Sequence, residues 1–365
     1  MKILFVLEHF YPYIGGAEKL FYALATNLAK EGFEVIVVTT QFDKKLPLEE
    51  FHKNVKIIRV KCKNRYVFTF LSVPKIIKNA KGCDFIHTTT YNAAMPAIFV
   101  GKLMRKPVFI TFHEVWGDLW KRLPFTSLIN RNIFFVFEKM LLKLPFEKFI
   151  GVSDFTITKL IESGIPKNKV VRIYNGIDYS VFKDYQPKSP DTFTYTYFGR
   201  LGISKGLDLL IPAAKKFRKS YPNSKMKLII PKHPTGIYTK IMKLISSNEL
   251  DSYIEFHHNL PRQQLYQELL NSSCIVIPSY SEGFCFAAAE VVALNIPIIS
   301  SHKGALKEVV SGRYIEMSEQ SSEALFNALV KACLNQWTIS PIKYYHLNDS
   351  ILEYKEIYLN NKFEV

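Results

Sequence analysis

The stretch Pro278-Ser279-Tyr280-Ser281-Glu282-Gly283-Phe284-Cys285-Phe286-Ala287-Ala288-Ala289-Glu290 lies between two apolar segments of different character. Before it, Cys274-Ile275-Val276-Ile277 is short and β-branched, as a buried strand is. After it, Val291-Val292-Ala293-Leu294 prolongs an apolar helix until Asn295 and Pro297 stop it. The pattern predicts strand, loop and helix, with Glu282 in the loop and Glu290 inside the helix. Over eight helical residues the chain would advance roughly 12 Å and turn through about 800°, leaving the two side chains about 80° apart. Two carboxylates so placed cannot grip one atom, which argues against a general acid/base pair working on one bond. They suit two ends of one elongated ligand.

Outward from this stretch, strand and helix signals alternate. The first half predicts strands at Ile3–Leu7, Glu34–Thr40, Val55–Val60, Asp84–Thr88, Pro107–Phe112, Phe149–Val152 and Val170–Tyr174. The second half predicts strands at Thr194–Phe198, Met226–Ile230, Tyr253–Phe256, Cys274–Ile277 and Ile296–Ser300. Between them come helices near Gly206–Lys219, Gly236–Ser246, Arg262–Leu270 and Phe284–Leu294. Short apolar strands separated by amphipathic helices imply parallel sheets covered on both faces. A polar, proline-containing stretch, Lys183–Pro190, is the linker candidate. Two doubly wound α/β domains result, with ligand sites expected at the carboxyl ends of their strands.

Length and composition agree. The 365 residues suit two domains, each with its own core, and 48% hydrophobic with 22% charged residues is a globular balance. No apolar run is long enough to span a bilayer. The first apolar run ends at Glu8-His9 without a cleavage pattern, so it reads as a first strand rather than a signal peptide. Five scattered cysteines give neither a disulfide framework nor a metal spacing, which points to a reducing, cytoplasmic setting. The net charge of +16 admits nucleic acid, an anionic membrane surface or phosphate-bearing substrates as partners. Nucleic acid is the weakest of these, because the cations are spread and form no arginine-rich tail or RNA-binding signature.

Further sites fall at strand ends. Gly15-Gly16 precedes a helix, where paired glycines let backbone approach a ligand and a helix N-terminus attracts anions; an ordinary turn would look the same. It is not the dinucleotide G-x-G-x-x-G pattern, which argues against a nicotinamide or flavin enzyme. His113, in Thr111-Phe112-His113-Glu114, suits a hydrogen bond to a substrate hydroxyl or to local backbone. Asn175-Gly176-Ile177-Asp178 is a tight turn open to a structural or a binding role. In Gly199-Arg200-Leu201-Gly202-Ile203-Ser204-Lys205-Gly206, Arg200 offers a forked donor and Lys205 a point charge on one loop. That pairing fits a diphosphate whose charge grows as it leaves.

Taken together, Glu282-x7-Glu290 after Pro278-Ser279, Gly199-Arg200-Leu201, Lys205-Gly206, Gly15-Gly16-Ala17-Glu18, Asn175–Asp178 and Thr111–Glu114 resemble the retaining glycosyltransferases of family 4. The resemblance spans nearly the whole chain. It implies the GT-B fold, two Rossmann-like domains facing across a cleft, with an acceptor-side domain over 1–185 and a nucleotide-sugar donor domain over 186–340. A C-terminal helix over 341–365 would cross back to the first domain. It further implies that Arg200, Lys205 and Gly16 hold the donor diphosphate, and that Glu282, Gly283 and Phe284 bind the donor sugar. Glu290 would bind the ribose and Gly15-Gly16 the acceptor side, with His113 and Glu282 at the reacting centre. The leaving diphosphate would help deprotonate the acceptor, and no metal or cofactor is implied. The chain shows no Asp-x-Asp motif, and Glu49-Glu50 is expected in a surface loop.

The chain departs from the family pattern at Ser273-Cys274, at Lys303-Gly304 and at Asn295. The acceptor, a saccharide or lipid-linked saccharide, is less legible. Cations and aromatics over Trp116–Lys148 suit either a core helix near Asn132–Leu144 or peripheral contact with an anionic membrane. Rival functions on the same fold are a nucleotide-sugar epimerase or a phosphorylase, the latter disfavoured because no pyridoxal-phosphate lysine pattern appears. A rival of another class is a non-catalytic, basic nucleic-acid-binding or scaffold protein, which would be indifferent to loss of Glu282 or Lys205.

Overall fold

The computed structural model describes residues 1–13, 15–186, 188 and 190–360. Ile14 in the glycine loop, and Pro187 and Ser189 in the expected linker, lie outside the described residues.

By packing, the chain divides into two units. The first contains an eight-stranded sheet of β1 (Lys2–Val6), β2 (Glu34–Thr40), β3 (Glu49–His52), β4 (Val55–Val60), β5 (Phe85–Thr89), β6 (Val108–Phe112), β7 (Lys148–Gly151) and β8 (Val170–Arg172). Their order is β3-β4-β2-β1-β5-β6-β7-β8, parallel throughout except for β3. Its helices are α1 (Gly16–Lys30), α2 (Arg65–Leu71), α3 (Val73–Ala80), α4 (Ala94–Met104), the second half of α5 (Leu128–Leu142), and α6 (Asp154–Glu162). Helix α1 buries Leu20, Phe21, Leu24 and Leu28 on one face of the sheet. Helices α3, α4 and α6 contribute to a second core that includes Ile76, Ala97, Val100 and Leu160. Doubly wound packing of this kind accounts for strands that are apolar on both faces.

Strand β3 corrects one expectation. Glu49-Glu50 lies in an antiparallel edge strand, not a surface loop. The cause is Arg59 on β4, whose side chain is wholly buried and needs acceptors. It finds them in Glu50 at 2.5 Å and in the carbonyls of Pro47 and Tyr11 at 3.0 Å each.

The second unit holds β9 (Thr194–Phe198), β10 (Lys225–Ile229), β11 (Ile254–His257), β12 (Cys274–Ile277), β13 (Ile298–Ser300), β14 (Gly312–Glu316) and β15 (Thr338–Ser340). They form one sheet in the order β11-β10-β9-β12-β13-β14-β15, with only β15 antiparallel. Helices α7 (Leu207–Ser220), α8 (Thr235–Ser247), α9 (Arg262–Leu270), α10 (Phe286–Ala293), α11 (Leu306–Val309) and α12 (Ser322–Cys333) connect them. Strands β14 and β15 go beyond the sequence pattern, because they are short and only partly buried.

Neither unit is a single run of the chain. The second comprises Asp118–Ile133 and Ile177–Tyr344; the first takes Met1–Gly117, Phe134–Gly176 and the chain from Tyr345 onward. Phe182 packs its ring 5.2 Å from Tyr266, and Tyr179 lies 5.1 Å from Tyr344. Both contacts lie within the second unit. Phe125 packs against the second unit's core, and Lys240 Nζ donates to its carbonyl at 2.8 Å.

The last helix, α13 (Leu347–Asn360), completes the first unit. Ile351, Tyr354 and Tyr358 are buried in the core with Phe5, Phe21, Phe85 and Phe109. Tyr358 Oη lies 2.5 Å from His87 Nδ1, His87 Nε2 lies 2.9 Å from Thr111 Oγ1, and Thr111 lies 3.1 Å from Tyr354 Oη. Burial, with the nearby His113 adding a smaller effect, pushes the His87 imidazole down to about 3, so it is neutral.

Candidate functional site

Strand β9 ends in the loop that carries Arg200 and Lys205, and that loop is fastened to the stretch after β12. Gly206 caps α7 with φ +70°, and a Cβ there would lie 2.1 Å from the Pro278 carbonyl. Only glycine permits this approach. Two more contacts join the segments: Tyr280 N–H donates to the Ser204 carbonyl at 2.7 Å, and Tyr280 Oη donates to Asp208 Oδ2 at 2.6 Å. Burial raises the Asp208 carboxyl despite the Tyr280 bond, and the same burial raises the Tyr280 phenol.

Across this joint Lys205 meets Glu282. Lys205 Nζ donates to Glu282 Oε1 at 2.8 Å and to Oε2 at 2.9 Å. Ser279 Oγ donates to Oε1 at 2.7 Å. Glu282 is 6% exposed. Its backbone is fixed from a third segment, because Ala305 N–H donates to the Glu282 carbonyl at 2.8 Å. Gly304, with φ +64°, has no room for a Cβ, which would fall 2.4 Å from that carbonyl. Burial lifts the phenol of neighbouring Tyr197, Lys205 opposes the rise and Glu282 adds to it. Tyr197 Oη donates to the Arg200 carbonyl at 3.4 Å, while Arg200 itself is exposed.

Helix α10 begins at Phe286, two residues later than expected, because Cys285 takes φ +72° and cannot be helical. Glu282 is thus off the helix axis, and an unbroken helix does not describe the separation of the two glutamates. Glu290 stands on α10, half-buried, with Arg262 Nη2 at 3.8 Å from Oε1. Arg262 also donates to Tyr266 Oη at 2.6 Å. Burial and, second, the Glu290 charge push the Tyr266 phenol up to about 12. Asn295 takes φ +55°, a conformation asparagine tolerates in ending a helix. Phe284 is buried beside Phe286, leaving its backbone as the part suited to a ligand.

The structure therefore brings Lys205, Glu282 and Ser279 together and gives Glu290 a different neighbour, Arg262. Arg262 emerges as a site residue only from the structure, which also gives Ser279 and Gly304 contacts that their sequence motifs do not assign. For Ser279 the sequence does hold a signal, a hydroxyl three positions before a carboxylate in one loop. Gly15, Gly16 and His113 lie in the first unit. Gly15 is extended and buried, Gly16 opens α1, and Glu18 carries a negative charge into that first turn, where an anion would otherwise be favoured. His113 follows β6, half-buried, with its ring 6.2 Å from Phe21. The Asn175–Asp178 turn has structural duties: Asp178 accepts from Ser180 N–H at 2.9 Å, and Ser350 Oγ donates to the adjoining Tyr174 carbonyl at 2.6 Å. Among the described residues, Glu255, His257 and Glu268 have metal-ligand proximity, but Lys227 Nζ already ion-pairs with Glu268 at 2.7 Å.

Between Trp116 and Lys148 the large residues divide. Trp120, Leu141, Leu142 and Phe146 are buried, and Trp116, Phe125, Phe134, Phe135 and Phe137 are half-buried. Helix α5 instead exposes Ile129, Ile133, Val136 and Met140 in one stripe. Lys139, Lys143, Lys121 and Arg122 are exposed as well.

Two family models match the chain: Glycosyltransferase Family 4 over residues 14–181 and Glycosyl transferases group 1 over residues 181–339. A phosphatidylinositol N-acetylglucosaminyltransferase subunit of Arabidopsis thaliana is 22% identical over 376 residues, covering 98% of this chain and 80% of the relative. The GDP-mannose:cellobiosyl-diphosphopolyprenol alpha-mannosyltransferase of Xanthomonas campestris is 23% identical, covering 82% of this chain and 78% of its own length. Among solved structures, a sucrose-phosphate synthase from Thermosynechococcus elongatus superposes with a TM-score of 0.82 at 20% identity, covering both chains fully. Anabaena HepE in complex with UDP-glucose superposes at 0.71 with 16% identity, covering 99% of this chain and 100% of that one. Matched by the two family models from residue 14 to residue 339, the chain belongs to the family 4 glycosyltransferases and has the GT-B fold.

Proposed function

We propose that this glycosyltransferase moves a hexose from a nucleoside diphosphate donor to an acceptor hydroxyl with retained anomeric configuration. The observation that carries the proposal is the cluster of Lys205, Glu282 and Ser279, a cation and a hydroxyl-binding carboxylate fastened side by side. Lys205 and Arg200 take the donor diphosphate, Glu282 the sugar hydroxyls with the backbone of Gly283 and Phe284, and Glu290 the ribose. The bond from the anomeric carbon to the diphosphate oxygen breaks. The acceptor oxygen bonds to the same face, and its proton passes to the departing diphosphate. Lys205 and Arg200 neutralise the charge that builds there, so the protein supplies its own cations for the leaving group. Gly15, Gly16 and His113 are assigned to phosphate, acceptor side and donor sugar by family resemblance alone.

The test is a thermal-shift screen with UDP, GDP and ADP and their sugars. A true donor at 100 times its dissociation constant stabilises by about 2.7 kcal/mol, several degrees for a chain of this size. The absence of a shift with every nucleotide would overturn the donor assignment. Anomeric configuration of the product, followed by NMR, decides between retention and inversion, and isomerised donor without transfer would favour the epimerase.

We further propose a lipid-linked saccharide as acceptor, met at the cytoplasmic face of an anionic membrane. Two relatives are named for phosphatidylinositol and for a diphosphopolyprenol. Here the net charge is +16, all five cysteines are free thiols, and α5 presents an apolar stripe among lysines. Among the described residues no helix is long and apolar enough to cross a membrane, so the contact would be peripheral. Co-sedimentation with phosphatidylglycerol vesicles is expected to be salt-sensitive and weakened several-fold by Ile133→Asp with Val136→Asp. Binding that is absent, or indifferent to both salt and these changes, removes the membrane proposal.

A further inference from the structure

Glu282 is held by more than one partner, and the partners have different prospects. Lys205 spans both carboxylate oxygens, at 2.8 and 2.9 Å. Ser279 reaches Oε1 alone, at 2.7 Å. Lys205 sits on a flexible four-carbon stem and is 24% exposed, so an arriving diphosphate competes for its ammonium. Ser279 has no such freedom. It is 1% exposed, and its carbonyl accepts from Ser301 Oγ at 2.6 Å and from Gln320 Nε2 at 3.3 Å. Gln320 also donates to the Pro278 carbonyl at 2.8 Å. The residue is thus pinned by strand β13's end and by the approach to α12.

We propose that Ser279 is a positioning residue for donor-sugar recognition: it keeps Oε1 of Glu282 in place when Lys205 turns to the diphosphate, leaving Oε2 directed at a sugar hydroxyl. This rests on the assignment of Lys205 to the diphosphate and Glu282 to the sugar. Until a diphosphate arrives, both oxygens of Glu282 are engaged by Lys205. Sugar recognition is then conditional on the diphosphate, and Ser279 prevents the released carboxylate from rotating away.

The experiment measures, by calorimetry on the full chain, the affinity for whichever nucleoside diphosphate and matching nucleotide sugar among the UDP, GDP and ADP pairs binds most tightly. The readout is the sugar increment, the ratio of the two affinities. Ser279→Ala is expected to leave nucleoside diphosphate affinity within about two-fold and to cut the sugar increment by about ten-fold, the size of one lost hydrogen bond to a charged group. Ser279→Thr, which keeps the hydroxyl, is expected to restore it. In a Glu282→Ala background, where the increment is already lost, Ser279→Ala should add nothing. A structural role alone would lower both affinities together, would persist in the Glu282→Ala background, and would overturn the proposal. So would an unchanged increment in Ser279→Ala. A wild-type chain that binds none of these nucleotides overturns the donor assignment itself, a different result from wild-type binding with an insensitive Ser279. Because Ser279 is buried, the ligand-free melting temperature of each variant accompanies the titration, and the double-variant comparison remains decisive if Ser279→Thr misfolds.

Discussion

Glu282→Ala is expected to lower kcat/KM for sugar transfer by about 10²–10³-fold, and Lys205→Ala by at least as much, since each removes a preorganised charged group from the reacting end of the donor. The two variants should part company on the nucleoside diphosphate alone. Without Glu282 a diphosphate no longer competes with that carboxylate for the Lys205 ammonium, so diphosphate affinity should hold or rise. Without Lys205 a carboxylate only 8% exposed in its side chain faces the incoming anion with Ser279 for company, and diphosphate affinity should fall. Lys205→Ala should also cost stability, because an uncompensated buried charge is more damaging than a half-exposed lysine without its partner. Steady-state transfer with nucleotide-release detection, together with titration of the diphosphate, checks all of this. Full activity in Lys205→Ala would sink the phosphate assignment.

The second large effect falls in the first unit. Tyr358→Ala is expected to destabilise the first unit by about 3–5 kcal/mol, the range for deleting a fully buried aromatic. Its ring lies 4.7 Å from Phe85 and its hydroxyl bonds to His87. Neutral His87 has one donor and one acceptor nitrogen, and both are used, toward Tyr358 and toward Thr111. Removing Tyr358 leaves a buried ring nitrogen unsatisfied in addition to the cavity. Tyr358→Phe separates the two contributions: it keeps the packing and should cost about 1–3 kcal/mol for the orphaned imidazole. Chemical denaturation followed by tyrosine fluorescence or circular dichroism gives both values. A Tyr358→Ala protein with an unchanged midpoint would show that α13 does not hold the first unit together.

What the sequence conveys follows the physics of each segment. Strands β2, β4, β9 and β12 have the predicted bounds, because buried strands stand out as short runs rich in β-branched and aromatic residues. Edge strands β3 and β15 lack that signal; β3 pairs because buried Arg59 needs Glu50. Phe182 and Tyr179, which pack within the second unit, read as ordinary aromatics until their partners are known. At the site, residue types are legible and pairings are not. Lys205 and Glu282 stand 77 positions apart, and nothing in either local pattern says that one neutralises the other. Ser279 is hidden for the opposite reason, since a serine near a turn has many uses.

The docking of α13 has a consequence in time. His87 and Tyr358 are 271 residues apart, so at ribosomal rates of about 5–20 residues per second the imidazole waits roughly 15–55 s for its phenol. Through that interval the nascent first unit carries an open apolar face, where Phe5, Phe85 and Phe109 await Tyr354 and Tyr358. The second unit's sequence, Asp118–Ile133 and Ile177–Tyr344, is made before the cover arrives. A cell producing this protein must keep that face from other chains in the meantime, and the yield of soluble enzyme should track chaperone supply more closely than the stability of the finished molecule would suggest.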